Sequence, residues 1–237
     1  MAGRESDYRG EGETNLSNLC EFIGIRPIGA GKNIRMKKNR KGLFIVFEGL
    51  DGSGTTTQAK LLRIYLKEKG YKVEQTTEPS GNLIGGLVRG VLTRQWHLNP
   101  VGLQLLFAAD RAHHLESFVL PALKKKQVII STRYFFSSLA FGALDLDQKW
   151  LVEINRNFLI PNITFFVDTD PAECLRRIAK TRIKREFFEE RKKLEKVRKE
   201  YNKLMKKYPR FYKVNGNRKE EEVFEKIKGI INKFIKS

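Results

Sequence analysis

Phe47-Glu48-Gly49-Leu50-Asp51-Gly52-Ser53-Gly54-Thr55-Thr56-Thr57 is the stretch that decides the fold. The run leading into it, Leu43-Phe44-Ile45-Val46-Phe47, is continuously apolar and β-rich, as a parallel strand buried on both faces requires. Residues 56–69, which follow, read as a helix with Leu61, Leu62 and Tyr65 on one face. A glycine-rich turn between a buried strand and a helix can cradle phosphate. Its glycines tolerate positive φ, and its amides converge on phosphate oxygens at the positive end of the helix. Gly49, Leu50, Asp51, Gly52, Ser53, Gly54, Thr55 and Thr56 are therefore the candidate residues for a nucleotide's phosphates, and the Thr56 hydroxyl is placed to hold Mg2+. The pattern G-x-x-x-x-G-K-[ST] is broken once, by Thr55 at the lysine position. Gly29-Ala30-Gly31-Lys32 is not a second cradle, because Arg26 stands in place of the first glycine and Asn33 in place of the Ser/Thr.

Outward from this centre, strands and helices alternate. Residues 72–77, 128–131, 163–167 and 212–214 read as further strands. Residues 84–93 read as a helix after a Pro/Gly turn, and residues 100–126 as a long helical region broken near Pro121. Leu194, Val197, Tyr201 and Leu204 are spaced for an amphipathic helix, and Phe224, Ile227, Ile231 and Phe234 for a final one. This order predicts a three-layer α/β domain over residues 42–237, a five-stranded parallel sheet with helices on both faces. Residues 1–41 are dominated by Gly, Ser, Asn and charges without sustained periodicity, so a disordered N-terminal extension is expected. Within it Met36, just ahead of the first strand, is read as an alternative translational start.

Composition narrows the function classes. Forty-one percent of residues are apolar, enough for a core, yet no run approaches the ~18 apolar residues of a membrane helix. The N-terminus lacks a basic region followed by an apolar run, so no signal peptide and a cytosolic location are expected. Cys20 and Cys174 form neither a disulfide framework nor a zinc spacing, and His97, His113 and His114 are read as structural or solvated. The net charge is +19, and residues 175–237 carry +14 of it. Such a surface suits anionic nucleotides; it would also suit nucleic acid, but the alternation of Glu with Lys after Glu186 favours a solvated helix.

Five blocks in order carry a family resemblance: the glycine-rich stretch; Thr77-Glu78-Pro79-Ser80-Gly81; Leu106-Phe107-Ala108-Ala109-Asp110-Arg111-Ala112; Arg133-Tyr134 with Ser137-Ser138-Leu139-Ala140-Phe141; and Phe166-Val167-Asp168 with Pro171. Together they resemble the thymidylate kinases, P-loop nucleoside-monophosphate kinases. The resemblance implies a three-layer kinase fold with a helical lid over about residues 179–192, ATP and dTMP as substrates, Mg2+ as cofactor, and a homodimer. It implies that Asp51 bonds the 3′-hydroxyl, that Phe107 stacks on the base and that Arg111 bonds its edge. Glu78 belongs with these nucleoside contacts. Arg133, helped by Arg89, would hold the acceptor phosphate, while Arg182, Lys184 and Arg185 would form a basic lid over the ATP phosphates.

Besides Thr55, the sequence departs from the family at Thr132, where an Asp is expected before Arg133, and at Gly142, where many bacterial members carry Gln near the base. Phosphoryl transfer rests on positioning and charge neutralisation, not on a protein nucleophile. The leading expectation is therefore a kinase that phosphorylates dTMP to dTDP. The two missing catalytic side chains motivate the alternative of a nucleotide-binding paralogue with weak or no kinase activity.

Overall fold

A computed structural model describes residues 42–181 and 191–236 of the chain. Strand β1 (Leu43–Gly49) is buried from Phe44 onward and occupies the middle of a sheet ordered β2-β3-β1-β4-β5. Its partners are β3 (Val128–Thr132) and β4 (Ile163–Asp168), with β2 (Val73–Thr77) and β5 (Phe211–Asn215) outside them. Every pairing is parallel, as the strand–helix alternation predicts. Leaving β1, the chain crosses to β2 on one side, and β4 lies on the other, so a crevice opens at the carboxyl ends of β1, β3 and β4. Ligands bind at such switch points in open α/β sheets.

The two faces of the sheet carry separate cores because side chains alternate along a strand. Ile45 and Phe47 of β1 join Ile130, Phe165 and Val167 on the face covered by α1 (Thr55–Glu68) and α9 (Glu220–Lys236). Phe44 and Val46 face the other way, with Ile129 and Phe166. That face is covered by α5 (Phe135–Gly142), α6 (Gln148–Asn155) and α8 (Arg191–Lys207). The remaining helices are α2 (Leu83–Leu92), α3 (Pro100–His114), α4 (Leu120–Lys124) and α7 (Pro171–Thr181).

The long helical region runs from α3 through a π-helical turn, Leu115–Val119, into α4. Pro121 lies in the first turn of α4, where its ring and missing N–H disrupt the bond to residue 117, and the wider turn before it accommodates the change. Helices α5 and α6 were not among the predicted elements. α5 has no amphipathic stripe because seven of its eight residues are buried. α6 is short, but its start was legible in Asp147, whose Oδ1 accepts from the Lys149 and Trp150 amides at 2.9 and 3.0 Å.

Helix α8 buries Leu194, Val197, Tyr201 and Leu204, the four predicted positions. Arg198 on the same helix grips Asp168 at the end of β4 through two bonds, 2.5 and 2.9 Å, and Lys213 of β5 lies 2.6 Å from the same carboxylate. Burial pushes the Asp168 carboxyl up, but the two cations outweigh it and hold it below its ordinary range. Removing a charge-assisted partner from a buried carboxylate typically costs about 1–3 kcal/mol. Arg198→Ala is accordingly expected to lower the unfolding free energy by about that amount in urea denaturation. An unchanged midpoint would mean that the pair does not anchor α8.

Candidate active site

The loop after β1 closes tightly. Gly52 and Gly54 have φ of 78° and 97°, and a Cβ on Gly52 would lie 2.6 Å from the Cys174 carbonyl oxygen of α7. A side chain there would meet both backbone strain and a clash. The Ser53 amide donates to the Leu50 carbonyl at 3.0 Å, while the Ser53 carbonyl accepts from Thr169 Oγ1 at 3.0 Å. Gly54, the N-cap of α1, brings no side chain to the first helical amides. Thr55 is buried and Thr56 exposed at the start of that helix.

Arg133 stands where β3 ends. Its amide donates to the Phe47 carbonyl at 2.8 Å, and its φ of 67° lies in the left-handed region that non-glycine residues adopt at a cost. That turn carries the guanidinium back over the loop. Nη2 donates to Asp51 Oδ1 at 2.5 Å, Nη1 to Ser137 Oγ at 3.0 Å, and the group sits 5.1 Å over the Phe141 ring. Burial works against its charge, but Asp51 foremost keeps its pKa above the ordinary value.

Behind Arg133 lies Glu48, with no exposure at all. Its Oε1 accepts from the Tyr134 amide at 2.9 Å, and its Oε2 from Ser137 Oγ at 2.6 Å and Tyr201 OH at 2.9 Å. Burial pushes its carboxyl from the ordinary 4.5 up to about 7, and the Ser137 bond, the Arg133 charge and the Tyr201 bond limit the rise. Burial, then the Glu48 charge, raise the Tyr201 phenol well above its ordinary value.

At the far end of the pocket, Arg111 is 1% exposed. Its Nε donates to Glu78 Oε2 at 2.9 Å, Nη1 to Asn155 Oδ1 at 2.6 Å, and Nη2 to Ser138 Oγ at 3.1 Å. His114 Nδ1 lies 3.2 Å from the other Glu78 oxygen and its Nε2 2.7 Å from Thr76 Oγ1. Glu78 thus fixes the Arg111 guanidinium, and two N–H groups of its five remain beyond those three bonds. Asp110, adjacent in sequence, bonds Ser80 through both oxygens instead.

These groups line two clefts that meet. The first, of about 390 Å3, includes Asp51, Glu78, Arg89, Phe107, Arg111 and Arg133. The second, of about 460 Å3, runs along the glycine-rich loop to Arg177 and Arg218. Gly52, Thr55 and Thr56 line both. The structure therefore brings together the sequence-predicted set Gly52, Thr55, Thr56, Asp51, Glu78, Arg89, Phe107, Arg111 and Arg133. Arg182, Lys184 and Arg185 lie outside the described residues. Gly49 is not a cleft residue: a Cβ there would meet the Val167 carbonyl at 3.0 Å, so its place is taken by packing. Arg89 is exposed, and its Nη1 donates to the Pro79 carbonyl at 3.3 Å and to the Ser80 carbonyl.

Sequence reasoning missed Arg177, Arg218, Asn155 and Gln104. Arg177 Nη2 donates to the Gly216 carbonyl at 3.0 Å, beside the loop, and nothing in its helical spacing signals that direction. Gly142 is closely packed by its neighbours. A Cβ at that position would meet Leu151 Cδ2 at 2.8 Å and the Gln104 carboxamide carbon at 3.2 Å. Gln104, from the neighbouring α3, lines the first cleft.

A strand–glycine-rich loop–helix unit, a second cleft meeting it at the loop, and a paired arginine over the junction define a P-loop kinase of small phosphorylated acceptors. The sequence model of the thymidylate kinase family matches residues 47–227. A protein of Thermococcus gammatolerans named "Probable thymidylate kinase" is 39% identical over 205 residues, covering 83% of this chain and 99% of that one. Its namesake in Pyrococcus horikoshii is 38% identical over 197 residues, 81% and 96% of the two chains. A "Thymidylate kinase" of Thermosipho africanus is 34% identical over 201 residues, 82% and 100%. The chain belongs to the thymidylate kinase family.

The raised Glu48 carboxyl has a stability consequence. A carboxyl whose folded pKa exceeds its unfolded one contributes stability that is complete below the unfolded value and is lost as pH rises through the folded one. For Glu48 the window runs from 4.5 to about 7, corresponding to about 3 kcal/mol. Urea unfolding of the wild type and Glu48→Gln across this window should show the wild type losing about 3 kcal/mol relative to the variant as pH rises. Parallel curves would mean that the carboxyl titrates at its ordinary value.

Proposed function

We propose that the chain catalyses transfer of the ATP γ-phosphate to dTMP, giving dTDP. The observation that carries this reading is the meeting of the two clefts at Gly52, Thr55 and Thr56. A donor triphosphate along the loop and an acceptor monophosphate under Arg133 would there present their phosphates to each other. In-line transfer needs that juxtaposition more than any protein nucleophile.

Each residue then has a physical role. The loop amides and the N-terminus of α1 receive the donor phosphates. Arg133, already paired and oriented by Asp51 and Ser137, holds the acceptor phosphate with a planar fork suited to its oxygens. Arg89, on the rim of the same cleft, adds charge. Phe107 offers a ring face to the base, and Arg111, immobilised by Glu78, Asn155 and Ser138, offers its remaining N–H groups to the base edge. Asp51 reaches the sugar's 3′-hydroxyl. A cytosolic setting goes with such substrates, and among the described residues no helix is long and apolar enough to cross a membrane.

Mg2+ fits this donor set. The ion keeps several waters and takes few protein oxygens beside substrate phosphates. The exposed Thr56 hydroxyl at the junction of the clefts supplies one such oxygen. Bound there with ATP, the ion would neutralise charge on the transferring phosphates.

Thr55 removes one preorganised cation, a loss of about 10²–10³ in rate. Enzymes accelerate reactions by at least about 10⁶, so turnover survives such a loss. The family match and the assembled acceptor cleft favour this reading over a paralogue without activity. We also propose a homodimer, supported by Leu83, Leu87, Val101 and Leu105, which stand 81, 44, 42 and 49% exposed on the neighbouring helices α2 and α3.

Coupled ADP release with ATP, Mg2+ and each deoxynucleoside monophosphate in turn should show turnover on dTMP, reduced at least about 10²-fold by Arg133→Ala. Absence of turnover together with measurable nucleotide binding would replace the kinase with a binding paralogue. Light scattering should give twice the chain mass, with Leu105→Glu shifting the particle to one chain; a wild-type monomer would remove the dimer.

A further inference from the structure

Gln104 brings to the first cleft a carboxamide that the protein itself does not use. It is 4% exposed, and its Oε1 is enclosed without a hydrogen-bond partner among the described residues. Buried polar atoms are nearly always paired, so an unpaired one beside a cleft is available to a ligand. The buried carboxamide of Asn155, by contrast, uses both ends: Oδ1 accepts from Arg111 at 2.6 Å, and Nδ2 donates to the Leu151 carbonyl at 2.8 Å. We propose that Gln104 is a specificity-determining residue for the acceptor base: its Oε1 accepts from the N3–H of thymine while its Nε2 donates to O2. The inference rests on the reading of the first cleft as the dTMP site.

Position on the helix sets which part of the base Gln104 can meet. Gln104, Phe107 and Arg111 follow one another on α3 at spacings of three and four, which puts them on one face, and all three line the cleft. Gln104 lies at the end nearer the acceptor phosphate. A Cβ on Gly142 would stand 3.2 Å from its Cδ, and the ring of the preceding residue, Phe141, lies 5.1 Å from the Arg133 guanidinium. Arg111 lies at the opposite end, beyond Phe107. With the base on the Phe107 ring and the sugar toward Asp51, the free Arg111 N–H groups meet O4. N3–H and O2 come next along the edge toward the sugar, on the side where Gln104 stands.

Other polar side chains at this end already have partners. Glu78 takes Arg111 and His114, Ser138 Oγ takes Arg111 at 3.1 Å, and Thr77 Oγ1 donates to the Thr132 carbonyl at 2.9 Å. Gln104 also borders a further cavity of about 450 Å3, which shares Leu92 and Phe141 with the first cleft, so its carboxamide has space on two sides. The last torsion of such a side chain is broad and roughly two-fold, and its two ends exchange readily. Thymine presents a donor, N3–H, beside an acceptor, O2, and one orientation of the carboxamide satisfies both. Cytosine presents two acceptors there, so in either orientation one of them faces Oε1. With Arg111, a donor only, at O4, the two side chains together read a keto pyrimidine protonated at N3.

Calorimetric titration of the full chain, without ATP, tests this with dTMP and with 5-methyl-dCMP, two nucleotides that differ only at N3 and at the substituent on C4. The wild type should favour dTMP. Gln104→Met keeps the length of the side chain and removes its donor and acceptor. It should bind dTMP about tenfold more weakly and lower the preference for dTMP over 5-methyl-dCMP by about the same factor. Because Oε1 has no partner in the protein, the substitution should leave the thermal unfolding midpoint of the ligand-free chain unchanged or raise it. Gln104→Leu removes the same groups and serves equally if Gln104→Met does not fold. Equal binding of the two nucleotides by the wild type, an unmoved preference in the variant, or a lowered midpoint in both variants would overturn the proposal; the last would make Gln104 a packing residue of α3. Failure of the wild type to bind dTMP would instead overturn the reading of the cleft itself, and this proposal with it.

Discussion

The bond from the Arg133 amide to the Phe47 carbonyl, 2.8 Å long, is the constraint on which the rest of the site depends. It extends the β1–β3 ladder one step past Phe47↔Thr132 and so fixes where the glycine-rich loop leaves β1 relative to where Arg133 leaves β3. A parallel ladder cannot slip without turning each side chain to the opposite face, and both faces here are core. The register is therefore held by two hydrophobic layers, and the site inherits that rigidity. Because Arg133 then adopts positive φ, its guanidinium returns over the loop instead of continuing along the sheet. The strain is affordable only because Asp51, Ser137 and the Phe141 ring hold the side chain at its far end.

A second pattern runs through the fold: arginines of the first cleft and of α8 lie against buried carboxylates. Glu78 is 3% exposed and positions Arg111; Glu48 stands behind Arg133; Asp168, 4% exposed, positions Arg198 and with it α8. Leaving any of these carboxylates without its partner would strand a buried charge, which is costly. Each pair also joins elements far apart in sequence. Rigid placement of arginines is what phosphoryl transfer requires, since guanidinium groups that had to reorganise during reaction would stabilise the transition state less.

Much of this could be read from the sequence, and what escaped did so for physical reasons. The apolar run, the glycines and the following helix were legible because they are local and because each breaks or keeps a periodicity. Leu194, Val197, Tyr201 and Leu204 were legible for the same reason. By contrast α5 gave no periodic signal, being buried all round. Tyr201 counted only as a core position, although its hydroxyl reaches a carboxylate 153 residues earlier. Gln104 and Asn155 entered the site through packing between helices, to which no spacing rule points. Gly142 is a further case: the side chains packed against it, Leu151 and Gln104, come from two other helices.

Thr55 and Thr132 line the same cleft and are 9 and 7% exposed. The family resemblance implies a cation at the first position and an anion at the second, and two threonines carry the same net charge as that pair. Either replacement alone would leave its opposite charge in a place with little access to water, where an unpaired ion is costly. Thr132 instead spends its hydroxyl on the Thr76 carbonyl at 3.4 Å and its own carbonyl on Thr77 Oγ1 at 2.9 Å, bonds that serve the β2–β3 edge. The ends of these strands are thereby satisfied without an ion, and the arginines that line the clefts hang from other elements, Arg133 in one and Arg177 and Arg218 in the other. The turn of the loop itself depends on the positive φ of Gly52 and Gly54 and not on a lysine, so the backbone donors stand where they do with Thr55 in place.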